Sequence, residues 1–196
     1  MFHEYSPVLL CYNKKRYVML AISRQSEGSM APRNTTHLTF PDLKHNHANC
    51  IADALDEAEG LCRQRGLRFT PLRRRVLEIV WNRHAPTGAY DILEALGDGK
   101  RPAAPPTVYR TLEFLLKNGF VHKIESLNAF IGCGMPGDTH AGQFLICGGC
   151  QQVGELDDPE IAELISRKAA EVGFAVTHPT VEVKGLCTDC AKTANA

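Results

Sequence analysis

Residues 105 to 126 read PPTVYRTLEFLLKNGFVHKIES, a helix and the first strand of a hairpin in one run. Pro105-Pro106-Thr107 opens the helix, Val108, Leu112, Leu115 and Leu116 recur at the spacing of one apolar face, and Gly119 closes it. Thr107, Arg110 and Glu113 lie elsewhere on its surface. Phe120 to Ser126 and Ala129 to Cys133, separated by Leu127-Asn128, then read as two paired strands. A helix followed at once by a short hairpin is the second half of a winged helix, with the hairpin as its wing.

The residues upstream supply the first half. Thr87-Gly88 precedes a short helix with Ile92, Leu93 and Leu96 inward and a stop at Gly97, and GDGKRPAAPP (97–106) is a loop punctuated by Gly and Pro. Helix, short helix, loop and helix is helix-turn-helix order. Tyr109 and Arg110 then stand in the N-terminal turns of the second helix, where recognition helices enter the major groove. Thr70-Pro71 starts the preceding helix, with Thr70 as cap and Leu72, Val76, Ile79 and Val80 on one face. Arg73, Arg74 and Arg75 lie largely off that face, either as a solvated surface or as a seat for phosphates. Further back, Ile51, Leu55, Ala58 and Cys62 form a helical stripe that ends ahead of Gly66.

Residues 1–49 mix Ser, Asn, Thr, Pro and His without sustained periodicity and read as a flexible extension, with Met30 leaving a later start open. At its end His45, His47 and Cys50 spell H-x-H-x-x-C. The preferred reading is a polar arm with incidental histidines.

Downstream lie two C-x-x-C pairs, Cys147/Cys150 and Cys187/Cys190, with 36 residues between them. Each pair turns the backbone so that two thiolates face one centre, and two pairs supply the four sulfurs of a closed tetrahedral zinc site. The long separation means that the metal ties distant elements together, so this zinc is structural. Around it, Phe144 to Cys147 and Gln151 to Leu156 read as strands. Asp158 caps a helix from Pro159 with Ile161, Leu164 and Ile165 apolar, Gly173 closes it, and Phe174 to Val183 reads as a last long strand. A unit of about fifty residues buries little core unaided, so zinc and self-association are expected.

The chain has 196 residues, 44% of them apolar, and a formal net charge of zero, which fits a globular protein of two small domains. The charge is unevenly divided. Residues 60–123 carry twelve Lys/Arg against five Asp/Glu, or +7, and residues 141–196 carry four against eight, or −4. The basic half suits nucleic acid. No signal peptide is readable and no apolar run approaches membrane-spanning length, so a cytoplasmic protein is expected. In that reducing compartment eight cysteines favour metal over disulfides; Cys11, Cys50 and Cys62 have no obvious partner. No Gly-rich phosphate loop, H-E-x-x-H or Ser/His/Asp set is present, so no enzyme is expected.

The segment 105–126, followed by both cysteine pairs, resembles the Fur family of metal-dependent repressors, most closely its zinc uptake regulator branch, over roughly residues 51–191. The resemblance implies an α+β architecture. Its parts would be an N-terminal winged-helix domain (50–126), a hinge (127–141) and a C-terminal α/β dimerisation domain (142–192) with the four-cysteine zinc site, acting as a homodimer on palindromic operator DNA. It also implies DNA contacts by Tyr109, Arg110 and Tyr90. Arg110 would read a guanine edge, and Tyr90 and Thr107 would meet phosphate or sugar; core packing is the other reading for Tyr90. The implied regulatory zinc site is His122, Cys133, His140 and Glu155, making two zinc ions per subunit, with Asp157 and Asp158 as rival carboxylates. The iron-sensing branch carries a run of the H-H-D-H type where this chain reads THAGQFLIC (139–147) with one histidine. The expectation is therefore a zinc-responsive repressor of zinc-uptake genes. The alternatives are an iron or peroxide sensor on the same fold, a thiol-disulfide oxidoreductase using the C-x-x-C pairs, and a zinc-stabilised protein-interaction module.

Overall fold

The computed structural model describes residues 37–39, 47–83, 85–97, 104–137, 140 and 142–194. Helix α1 (His47–Gln64) buries Leu55, Ala58 and Cys62. Helix α2 (Pro71–Trp81) begins where Thr70-Pro71 predicts: the Thr70 hydroxyl accepts from the Arg73 N–H at 3.4 Å, and proline has no N–H to leave unpaired in the first turn. Strand β2 (Thr87–Gly88) leads into α3 (Ala89–Leu96), whose first turn is held by the Asp91 carboxylate accepting from the Gly88 N–H at 3.1 Å. Helix α4 (Pro105–Lys117) follows, and Gly119, at φ +72°, turns the chain out of it in the left-handed conformation that glycine adopts without strain. Val76, Leu77, Val80, Ile92, Val108, Leu112, Leu115 and Phe120 from these elements form one buried core.

Strands β3 (Val121–Ile124) and β4 (Ala129–Gly132) are the hairpin, joined by a 3-10 turn, Glu125–Leu127, and by Asn128 at φ +46°. The expected two-stranded wing has a third member. β2 pairs antiparallel with β4, Thr87 opposite Phe130, and gives the order β2-β4-β3. Two residues are too short to show a period, so β2 exists only because β4 offers it an edge.

The second sheet contains β5 (Gly142–Cys147), β6 (Val153–Asp157) and β7 (Thr180–Gly185) in the order β1-β6-β5-β7, where β1 is His37–Thr39. β7 runs parallel to β5, and the helix α5 (Pro159–Glu171) lies between β6 and β7 in sequence. Asp158 caps α5 as expected, its carboxylate accepting from the Glu160 N–H at 2.9 Å. The last strand is shorter than the expected 174–183. It starts at Thr180, directly opposite Gly142, where its partner strand starts. A short helix, α6 (Thr188–Ala194), was not foreseen; it buries no residue and so carries no apolar period. Part of the stretch read as a flexible extension is ordered too. β1 pairs with β6, Leu38 opposite Leu156, and residues 47–49 begin α1, whereas the rest of 1–49 lies outside the described residues.

The indole of Trp81 at the end of α2 lies flat on β4. A Cβ placed on Gly132 would overlap its Cε2 and Nε1 and come 2.7 Å from its Cδ2. Glycine is therefore required for helix and strand to approach this closely. We expect Gly132→Val to lower the unfolding free energy by roughly 1–3 kcal/mol through overpacking, measured by urea denaturation; an unchanged midpoint would show that the indole swings clear.

Candidate metal centres and nucleic-acid interface

His122 stands on β3, Cys133 follows β4, His140 lies in the connection to β5, and Glu155 is on β6. Their donor atoms all fall within 4.8 Å of one another. The Glu155 Oε1 lies 2.8 Å from His122 Nε2 and 2.9 Å from His140 Nε2, the two Nε2 atoms are 3.1 Å apart, and the Cys133 sulfur is 3.6 Å from His140 Nε2. Two nitrogens bound to one tetrahedral zinc sit about 3.3 Å apart, given Zn–N bonds of about 2.0 Å. The donor set therefore fits one such ion. The second carboxylate oxygen accepts the Gly134 N–H at 3.1 Å, which fixes how Glu155 presents the first. Phe144 on β5 backs the cluster, its ring centroid 5.2 Å from that of His122.

The site is dry, with side-chain exposures of 17% for His122, 6% for His140 and 11% for Glu155. Burial pulls the His122 imidazole down, but its hydrogen bonds to Cys133 and Glu155 and their charge lift it from 6.5 to about 9. Hydrogen bonds to Cys133 and then Glu155 outweigh burial at His140 and raise it to about 11. Burial pushes the other two up, yet the imidazoles win at both: Cys133 is lowered from 9.0 and Glu155 falls from 4.5 to about 2. Without metal the cluster is thus closed by protons. The imidazoles stabilise the metal-free fold fully below pH 6.5 and lose that contribution as pH rises through about 9 and 11; Glu155 contributes above 4.5 and loses it as pH falls through about 2.

The second cluster gathers Cys147, Cys150, Cys187 and Cys190, again within 4.8 Å. The Cys150 and Cys187 sulfurs are 3.8 Å apart, the separation that two Zn–S bonds of about 2.3 Å produce at a tetrahedral centre. Its first knuckle turns tightly: the Gln151 N–H reaches the Cys147 carbonyl at 2.9 Å, Gln151 takes φ +61°, and a Cβ on Gly149 would stand 2.8 Å from the Cys190 sulfur. Backbone N–H donors from Cys150, Cys187 and Gly149 aim at the Cys147 sulfur and lower its thiol to about 6. Hydrogen bonding to Cys187 and Cys147 pushes Cys190 up to about 12. Cys147 ionises readily whereas Cys150 and Cys190 resist, so four thiolates require a cation among them.

No other group of potential metal ligands occurs among the described residues. Cys50 is half-buried and Cys62 lies in the core, whereas Cys11 and His45 fall outside the described residues. Nor is any described helix long and apolar enough to cross a membrane.

The remaining predicted residues are all exposed. Thr107, Tyr109 and Arg110 project from the first turns of α4, and Tyr90 from α3 is 80% exposed, which removes core packing as its role. The arginine run is a solvated face, as the first of its two readings has it, tied down by surface contacts. Arg73 lies over the Phe114 ring at 3.4 Å, Arg74 pairs with Glu59 at 3.0 Å and Asp56 at 3.8 Å, and Arg75 pairs with Glu78 at 2.8 Å.

The profile of the ferric uptake regulator family matches residues 64–184. The chain belongs to that family. Among its members, the zinc uptake regulation protein of Escherichia coli K12 is 39% identical over 141 residues, 71% of this chain and 82% of that protein. The peroxide operon regulator of Bacillus subtilis 168 is 31% identical over 145 residues, 74% of this chain and 98% of that protein. Two solved structures of the family are close as well. A zinc uptake regulator complexed with zinc and DNA gives a TM-score of 0.70 at 37% identity, covering 74% of this chain and 98% of that one. The crystal structure of holo XcZur gives 0.66 at 41% identity, covering 71% and 98%.

The proton-closed cluster has a measurable consequence. With the four-cysteine site already loaded, zinc binding at pH 7 should expel at least two protons, one from each imidazole together with any still held by the Cys133 thiol, and its affinity should rise with pH toward 9. Calorimetry in buffers of different ionisation enthalpy counts the protons; a release near zero would mean that the imidazoles are neutral before metal arrives.

Proposed function

We propose that the protein is a zinc-responsive transcriptional repressor, which binds palindromic operator DNA as a homodimer when zinc is loaded and represses zinc-uptake genes from the cytoplasm. The observation that carries this reading is the convergence of His122, Cys133, His140 and Glu155. They come from the wing, the connection and the C-terminal sheet, so a single ion would fix one part of the chain against another. Zinc in that site would supply two positive charges and four directed bonds. His122 and His140 give up their protons there, Glu155 keeps one oxygen on the Gly134 N–H, and Phe144 keeps water from the His122 ring. The wing is then held at one angle to the sheet. Moving such an equilibrium from mostly open to mostly closed takes about 5.5 kcal/mol of differential affinity, a scale that gaining one or two ligands can reach.

Cys147, Cys150, Cys187 and Cys190 hold the structural ion, making two per subunit. In DNA, Arg110 reads a guanine edge, Tyr109 stands beside it, and Thr107 and Tyr90 meet the backbone. Homodimerisation is supported by α5, where Ile161, Leu164 and Ile165 line up on a helix that buries no residue, with Leu164 46% and nearby Phe174 65% exposed. The redox reading is weaker. Cys187 does stand at the start of α6, but all four sulfurs face one point and none is set apart to attack a disulfide. The iron reading lacks the histidine run ahead of the first cysteine knuckle.

The test is binding to a zinc-importer promoter fragment under buffered free zinc and, without oxygen, under ferrous iron. Tightening with zinc alone is expected; tightening with iron would select the other sensor, and metal-independent binding would remove the sensing role of the His122 cluster. Cys133→Ser should leave a folded dimer with one zinc and no zinc-dependent DNA binding, whereas Cys147→Ser should unfold or monomerise the C-terminal part. The same unfolded product from both would erase the division into structural and regulatory sites.

A further inference from the structure

Three strands of the C-terminal sheet place three side chains in one row. Phe144 on β5 is paired with Glu155 on β6 and, on its other side, with Glu182 on β7. Directly paired residues point to the same face of a sheet, so Phe144 stands between two carboxylates that look toward the wing. One of these, Glu155, meets His122 and His140. The other meets backbone. Glu182 Oε1 accepts the Glu125 N–H at 2.6 Å and Oε2 accepts the Ser126 N–H at 3.1 Å. Glu125 and Ser126 open the 3-10 turn that joins β3 to β4, and the turn has no side-chain cap of its own. Its free N–H groups are therefore capped from 57 and 56 residues away. Burial alone would raise the Glu182 carboxyl, but the bonds from Ser126 and Glu125 hold it below 4.5.

We propose that Glu182 is a positioning residue, a metal-independent fastener that pins the tip of the wing to the C-terminal sheet while the His122 cluster pins its base. Its contacts are the backbone amides of Glu125 and Ser126 and the Ser126 hydroxyl, so it needs no metal ligand. With one point fixed, the wing can still pivot about Glu182; with both fixed it cannot, and the angle of α4 is set. Glu182 thereby determines how much of the zinc signal reaches the DNA-binding surface. The effect on DNA rests on the repressor reading given above, whereas the fastening itself does not.

The full-length protein and its Glu182→Gln and Glu182→Ala variants distinguish the two. Gln keeps the shape and one acceptor but not the charge, and Ala removes both acceptors. In both variants the zinc content and the dimer should match the wild type and the melting temperature should fall by no more than about 5 °C, which separates positioning from a general loss of fold. Amide exchange at Glu125 and Ser126 should speed up at least tenfold in the Ala variant and less in the Gln variant. The zinc-dependent gain in DNA affinity should shrink about tenfold with Ala, with partial retention in Gln. Unchanged exchange at these two amides overturns the fastener whatever the DNA result, and faster exchange with an undiminished zinc gain overturns its role in coupling. Faster exchange in a protein whose wild type gains no DNA affinity from zinc keeps the fastener and removes the repressor reading instead.

Discussion

Crowding four electron-rich atoms within 4.8 Å of one another is unfavourable unless positive charge lies among them, and the described residues do it twice. The two clusters meet the constraint differently. Around Cys147 there are only thiols and backbone N–H donors, so charge on Cys147 is favoured and charge on Cys150 and Cys190 is not. That cluster is complete only with a cation. Around His122 two imidazoles face a thiol and a carboxylate, and protons balance the set without metal. A site that closes with either protons or metal can exist in two states within one fold, which is what a sensor needs.

The sheet converts this chemistry into orientation. Because β5, β6 and β7 are in register, the residues that meet the wing stand on one line across the strands rather than on scattered loops. Small changes at such a line are not absorbed by loop flexibility. Ile124 and Ile131 of the wing pack with Phe144, Ile146 and Val153 on that same side of the sheet as a second apolar core, so the contact between wing and sheet is both apolar and polar. The first core, under α2 and α4, is separate, which lets the recognition helix move as a unit with its wing.

Much of the fold was legible because its boundaries carry their own chemistry. Thr70-Pro71, Asp158-Pro159 and Gly119 each state a helix limit through a cap or a positive φ, and the limits fall there. The cysteine pairs were equally plain, since a knuckle is encoded by four consecutive residues. What escaped was set by partners rather than by local sequence. β1 and β2 are strands only because β6 and β4 expose edges, and β7 takes its length from β5. The His122 set illustrates the same limit. Each member is ordinary in its own segment, and only the likeness to a family placed them together ahead of the structure. Among the nearby acids, Asp158 is occupied capping α5 and Asp157 lies opposite His37, whereas Glu155 is level with Phe144 and so with His122. Glu182 carried no signal at all, because its partners are the N–H groups of a turn 56 residues upstream.

The flat seat of Trp81 on Gly132 gives the molecule a private optical gauge. The chain has one tryptophan, and the strand beneath its indole leads directly into Cys133. Any shift of that thiol toward an ion would move the floor on which the ring rests and alter the dielectric around it. The emission colour of a single native residue would then follow the base of the wing, with no label added and no other indole to blur the reading.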